Sequence, residues 1–407
     1  MKKPSVLRAV AACAATLVLL SGCGGGGGGT AGGASPPPVS QFGASTSFEG
    51  VCTVDGQKQF VRSYLDEVYL WYNEIPTVDA SVFTSIPDYF RALLVKTPDA
   101  NGLPKDRFSA VLLTTQVQSS LITGSGSASQ ADVTTLVSAN TQAVPVTKVV
   151  TSSTGRRAGY ILFLDHAQGA QDALINSFRQ LKSENVQDLV LDLRFNSGGF
   201  LYIALGAASM VAGPSAEHRT FEQLRYNDKR STESAASRLA FSSTVQFGET
   251  DYPQGTPLPQ LGLPRLYVLV SGQTCSSSES IVNSLRGIDV EVVLIGQTTC
   301  GKPYGFRRKD NCGYTFFPIE FQGTNAKGFG DYTTGFRPTC TVADSPSASA
   351  GGARDPLLAA ALTHIDTGSC PAGTATTGLF ASGDPQATPV PGPARPAWAG
   401  RLLLPKQ

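Results

Sequence analysis

Charge is scarce in this 407-residue chain: Asp, Glu, Lys and Arg make up 15% of it, against roughly 25% in an average soluble protein. The 32 basic and 31 acidic residues leave a net charge of +1. A protein that neutralises nucleic-acid phosphates carries a basic excess or patch. Here there is neither an excess nor a run of like charge, so nucleic acid is set aside as a partner. Histidine is scarcer still, with His166, His218 and His364 alone, and no two cysteines have the C-x-x-C spacing of a zinc clamp. No metal and no cofactor are therefore expected. The hydrolase elbow G-x-S-x-G is missing. A phosphate-binding P-loop is also missing: the G-x-x-x-x-G-K ending at Lys302 continues with Pro303 where Ser or Thr is needed.

Glycine (43) and proline (26) are plentiful, and much of both lies near the two ends. Lys2 and Lys3 precede an apolar run from Val6 to Leu20 that Arg8 interrupts. A spanning helix needs about 20 apolar residues, so this run is too short and reads as an export signal. It ends in Leu20-Ser21-Gly22-Cys23, which resembles a bacterial lipobox. That resemblance implies a signal peptide over 1–22 and lipidation of Cys23. A plain secretory signal with a stray cysteine is the alternative. Residue 24 is Gly, not the Asp linked to inner-membrane retention, so the outer membrane is expected, with the body in the periplasm or at the cell surface. Residues 23–46, rich in Gly and Pro, read as a flexible tether.

Export changes the meaning of the remaining cysteines. Cys13 leaves with the signal, and Cys52, Cys275, Cys300, Cys312, Cys340 and Cys370 remain. An even number in an oxidising compartment points to disulfides. Cys300 and Cys312 flank an expected hairpin and are the favoured pair; Cys275–Cys300 is the rival.

The body divides by pattern. In residues 47–110, Phe60, Tyr64, Val68, Tyr69 and Tyr72 recur at spacings of three and four, one face of a helix, and 87–96 repeats the pattern. This part reads as a small helical domain. Residues 111–148 are poor in charge and too few for an independent domain. Over 149–370, strand-like runs (158–165, 187–195, 264–272, 289–296) alternate with helical ones (170–185, 199–213, 276–287, 354–365), and 312–323 reads as a hairpin arm. The alternation argues an α/β fold around a largely parallel sheet. Residues 371–407 turn to Pro, Gly, Ala and Thr and read as a disordered tail.

Chemistry concentrates where three strands end. DLRFNSGG (192–199) places adjacent glycines at the start of a helix, where free N–H groups favour negative charge. TCSSSE (274–279) puts serines at another helix start, where the dipole helps an oxyanion. GQTTCGK (296–302) sets one lysine in a loop directly after an apolar strand, the setting in which a desolvated amine acts as a base. Each has a blander reading: a strand–helix turn, an N-cap and a surface lysine.

The three loops, in this order, resemble the carboxyl-terminal processing (tail-specific) serine proteases, and the resemblance covers roughly residues 150–370. The segment ending in KDRFS also looks like that family's N-terminal region. The resemblance implies a crotonase/Clp-protease-like core, with Ser276 as nucleophile and Lys302 as its general base. It implies an oxyanion hole from the N–H of Gly198 or Gly199 with that of Ser277, supported by Asp192, Arg194, Asn196, Glu279 and Gly301. The partners would be polypeptide substrates of the envelope, with selection of C-terminal tails a further expectation. His166 is the one histidine to weigh for a Ser-His-Asp alternative. Two departures stand out. Family members commonly carry Gln four residues after the lysine, where this chain has Phe306. They also carry a PDZ domain between the helical part and the core, where this chain has only 111–148. A protease fold kept as an inactive peptide-binding or scaffolding lipoprotein is the alternative reading.

Overall fold

The central strands read as unbroken apolar runs because both of their faces are covered. In the computed structural model, Leu189 and Leu191 point into one core, and Val190 between them points into another on the opposite side of the same sheet. The structure describes residues 42–117, 143–345, 348–373, 375–376 and 401–402. The expected signal peptide (1–22), Cys23, nearly all of the tether, most of 111–148 and most of the tail lie outside the described residues. The parts expected as helical domain and protease core fall in a single compact unit, Val39–Gln407.

The main sheet has seven strands in the order β14-β13-β8-β7-β4-β3-β2. Its strands β3 (Arg157–Leu162), β4 (Asp188–Asp192), β7 (Arg265–Val270), β8 (Glu291–Gly296) and β13 (Cys340–Thr341) run parallel. The edge strands β2 (Val146–Thr151) and β14 (Ala375–Thr376) are antiparallel to their neighbours. Parallel neighbours need crossovers, and helices supply them. α3 (Ala170–Ser183) links β3 to β4, and α6 (Ser277–Gly287) links β7 to β8. With α4 (Leu201–Ala212), a helix buried on all sides, they pack on one face of the sheet. α7 (Pro356–Thr367) covers the other face, with Leu357, Leu358, Ala361 and Ile365 against Tyr160, Val190, Tyr267 and Val293. Functional loops therefore gather at the carboxyl ends of β4, β7 and β8.

The N-terminal helices α1 (Val54–Val68) and α2 (Ile86–Ala92) form their own core. Phe60, Leu65, Tyr69 and Phe90 meet Phe306, Phe316 and Ile319 from the C-terminal half. Two smaller sheets make the junction. One is β1 (Ala110–Leu113), β11 (Tyr314–Phe317) and β10 (Lys309–Asn311); the other runs β15-β9-β12-β5-β6. In the latter, β9 (Tyr304–Phe306) lies between β12 (Phe321–Thr324) and the tail segment β15 (Arg401–Leu402), while β5 (Thr220–Tyr226) pairs with β6 (Arg238–Ala240). A short helix α5 (Ser231–Ala236) joins those last two. Among the described residues no helix is long and apolar enough to cross a membrane.

Two expectations are corrected. Residues 312–323 are not one hairpin arm: β11 pairs with β1 and β10, and β12 with β5 and β9, so the stretch is split between two sheets. Pro318, which has no N–H to give a ladder, stands in the break. The favoured Cys300–Cys312 pair is not formed either. The disulfides are Cys52–Cys312, Cys275–Cys300 and Cys340–Cys370. Cys312 sits in the β10–β11 turn, facing the start of α1, whereas Cys300 precedes β9 and lies beside the serine turn.

Candidate active site

Ser276 is the last residue before α6 and adopts φ +58° and ψ −114°. A non-glycine residue in that region costs on the order of 1–3 kcal/mol and persists only where its surroundings enforce it. Its side chain is fully buried, and Oγ has no hydrogen-bond partner among the described residues. The enforcing contacts come from two directions.

From one side the DLRFNSGG loop grips the turn. Asn196 O accepts from Cys275 N (3.1 Å) and from Ser278 Oγ (3.0 Å), and Leu193 O accepts from Thr274 Oγ1 (2.8 Å). Gly198 (φ +96°) comes so close that a Cβ there would stand 2.9 Å from Ser276 Cβ and 2.9 Å from Ser277 N. At Gly199 (φ +143°) a Cβ would stand 2.6 Å from His166 O. Both positions therefore require glycine. Ser277 Oγ donates to Gly199 O at 2.7 Å. Asn196 Oδ1 accepts from Gly198 N at 3.0 Å, which commits that N–H and leaves Gly199 as the glycine better suited to stabilise an oxyanion.

The loop is itself anchored by charge. Asp192 and Arg194 are buried; Arg194 pairs with Asp192 (2.8 Å), Asp355 (2.6 Å) and Asp344 (2.9 Å). Burial pulls the Arg194 pKa down, but Asp192 and Asp355 outweigh it and hold the guanidinium above its ordinary range. Burial pushes the Asp192 carboxyl up, against the pull of Arg194. Asp355 also caps α7, accepting from Leu357 N and Leu358 N. This cluster ties the end of β4 to the far face of the sheet and supports the site from beneath.

From the other side comes Glu279, on the first turn of α6 and fully buried. Its Oε2 accepts from Ser276 N (2.8 Å) and from Lys302 N (2.9 Å). Its Oε1 accepts from Gly301 N (2.8 Å) and from Thr299 Oγ1 (2.6 Å). The main chains of Ser276 and Lys302 thus meet on a single oxygen atom. The Cys275–Cys300 disulfide crosses the same junction, with Cα atoms 5.2 Å apart. Lys302 is buried, 2% exposed, with Nζ 4.7 Å from the Phe306 ring centre and 5.1 Å from that of Phe108. Phe306, which stands where Gln was expected, therefore packs its ring against the amine. Phe108 and Arg107, whose Nη2 donates to Gly301 O at 3.4 Å and to Thr333 O at 2.9 Å, bring the N-terminal part to the lysine loop. Their composition carries no catalytic signal, and only the KDRFS resemblance marked the segment.

His166 is placed beside the glycine loop, with Nδ1 2.9 Å from Asn196 Oδ1. That oxygen can only accept, so Nδ1 carries the proton. Burial lowers the ring to about 3, keeping it neutral. No histidine hydrogen-bonds Ser276 Oγ among the described residues. The neighbouring Asp165 carboxyl is pushed up to about 7 by burial. Two groups of side chains have metal-like spacing, Cys275/Glu279/Cys300 and Cys340/His364/Cys370. In each the two cysteines are bonded to each other, leaving no thiolate to ligate an ion.

Comparison with known proteins bears on this arrangement. The family model of peptidase family S41 matches residues 157–309, which contain all three loops, and that of the peptidase S41 N-terminal domain matches 56–110. A solved structure of an S41 protease from Bacteroides fragilis is similar at 20% identity, covering 76% of this chain and 97% of that one, with a TM-score of 0.56. This is a likeness of fold. A lipoprotein from Streptococcus agalactiae (11% identity, 72% and 93% covered, TM-score 0.47) and a photosystem II D1 C-terminal processing protease (18%, 51% and 49%, 0.38) are more distant. A search of curated proteins found no match.

Glu279→Gln tests the junction. The amide NH2 would face at least two N–H or O–H donors, each left without an acceptor at about 1–3 kcal/mol. The variant is expected to lose at least about 2 kcal/mol of stability in urea unfolding. Unchanged stability would show that the carboxylate does not hold the loops.

Proposed function

We propose, because this chain belongs to the peptidase S41 family of serine-type peptidases, that it hydrolyses polypeptides through a Ser276–Lys302 dyad. The observation that carries this reading is the shared Glu279 oxygen, which brings the two residues' main chains together beside the strained Ser276 turn. The Ser276 Oγ–Lys302 Nζ hydrogen bond itself is not formed in this structure, and the proposed cycle forms it when substrate binds.

In the proposed cycle the neutral Lys302 amine takes the Ser276 hydroxyl proton as Oγ attacks the scissile carbonyl. The N–H groups of Gly199 and Ser277, at the positive end of α6, stabilise the oxyanion. Gly198 supports this hole through its close approach. The Lys302 ammonium then protonates the departing amine, leaving an acyl-enzyme on Ser276. A water, deprotonated by the same amine, releases the acyl group. Substrates are envelope polypeptides, and C-terminal tails remain part of the proposal. With Cys23 lipidated, the enzyme sits on the outer membrane, facing the periplasm or the exterior.

The second reading, a peptide-binding lipoprotein without turnover, is favoured by one observation: an aromatic ring, Phe306, lies where an orienting amide was expected. Ser276→Ala and Lys302→Ala are each expected to lower kcat on casein or peptides by at least about 10³-fold, with circular dichroism unchanged. A fluorophosphonate should label Ser276 in the parent protein. Activity retained in Ser276→Ala would end the dyad reading, and a folded parent that neither cleaves nor labels would favour the binder.

The base must be neutral to act, so kcat/KM measured from pH 5 to 9 is expected to rise with pH. His166 is already neutral across that range and adds no rise. Asp165 does titrate within it, so the profile is expected to keep its shape in Asp165→Asn. A flat profile would count against a lysine base. For the anchor, Cys23→Ala is expected to move the protein from the membrane fraction to the soluble one; an unchanged membrane fraction would exclude Cys23 as the attachment.

A further inference from the structure

Side chains crosslink the serine turn and the lysine loop in two ways. Glu279 is the polar link, and the Cys275–Cys300 disulfide is the covalent one. Cys275 directly precedes Ser276. Cys300 stands between Thr299 and Gly301, both of which donate to Glu279 Oε1. The main chain of each cysteine joins the same framework: Cys275 N donates to Asn196 O (3.1 Å) and Cys300 N to Thr274 O (3.0 Å). The other two disulfides lie elsewhere, one between the start of α1 and the β10–β11 turn, one between β13 and the residues after α7.

We propose that Cys275 and Cys300 are positioning residues for the Ser276–Lys302 dyad, and that turnover requires the bond between them. This rests on the dyad reading above. A disulfide holds its sulfurs about 2.05 Å apart. Unbonded heavy atoms in contact settle about 3.5–4.0 Å apart. Breaking the bond therefore drives the two sulfurs roughly 1.5 Å further apart, a separation that the packed side chains and the main chain beside both members of the dyad must take up. Cys275 is buried at 2% exposure, so the displacement is not absorbed by solvent. A misplacement of about 1 Å can cost on the order of 100-fold in rate.

Cys300 is only half-buried, so it is the sulfur open to attack. A dithiol reductant's thiolate bonds to Cys300 Sγ, and Cys275 leaves as a thiolate that takes a proton. The reductant's second thiolate then displaces Cys300, leaving two protein thiols and an oxidised reductant. In a reducing cytoplasm the bond does not persist. The protease gains its working geometry only after reaching an oxidising compartment, which protects the cell that makes it.

The test compares Cys275→Ser/Cys300→Ser with Cys52→Ser/Cys312→Ser and Cys340→Ser/Cys370→Ser in the full chain. The first pair is expected to lower kcat about 10- to 100-fold with KM essentially unchanged, in protein shown to be folded by thermal melting. The other two pairs should keep their kcat. Graded dithiol treatment of the parent protein, with reduced pairs located by mass spectrometry, should lose activity in step with the Cys275–Cys300 bond and regain it on reoxidation. That series decides the matter if the first variant does not fold. Parental kcat with this bond absent, or an effect on KM alone, would overturn the proposal. Its failure is separable from that of the dyad: Ser276 would still label with fluorophosphonate, whereas a failed dyad shows in Ser276→Ala whatever the state of the cysteines.

Discussion

The buried carboxylate of Glu279 is the constraint on which the site depends. A charge taken out of water costs several kcal/mol unless paired or fully hydrogen-bonded. Here three main-chain N–H groups and the Thr299 hydroxyl donate to it. The first turn of α6 adds the favourable end of the helix dipole. Satisfying this carboxylate requires residues 299–302 to lie across the start of α6. Thr299 carries the demand further, since its Oγ1 also accepts from Phe336 N at 2.7 Å.

A second constraint works through the N-terminal part. Tyr69 OH donates to Asp106 Oδ2 at 2.6 Å, and Asp106 Oδ1 accepts from Phe108 N (3.0 Å) and Ser109 N (2.8 Å). This fixes the ring of Phe108 beside the Lys302 amine. The small helical core of α1 and α2 thereby reaches the lysine loop, with Phe306 and Phe317 packed in it at a tilt of 60°. Arg194, held among three carboxylates, performs the matching task on the serine side.

Legibility followed the range of the interactions. Strands β4, β7 and β8 were readable because two covered faces leave an unbroken apolar run. α3 was readable because apolar residues recur at helical spacing, and α6 because it starts on a run of serines, good N-cap residues. The 312–323 stretch misled because alternation shows that a strand exists and not which strand it pairs with. The Cys300–Cys312 expectation failed for the same reason: nearness in sequence stood in for nearness in space, and Cys312 meets Cys52 across 260 residues. Ser276 and Lys302 were legible only through loops that follow strand ends in a recurring order. The left-handed backbone of Ser276, the shared Glu279 oxygen and the ring of Phe306 against the amine carry no local signature.

The sequence by itself determined the α/β alternation and which serine and which lysine stand at strand ends. These depend on composition and short periodicities, which act within a few residues. The tertiary structure alone decided that the main chains of those two residues share one Glu279 oxygen, which glycine N–H is already committed, and which cysteines bond. Each of those rests on atoms brought within a few ångströms from distant parts of the chain, and only the packing of both faces of the sheet sets that approach.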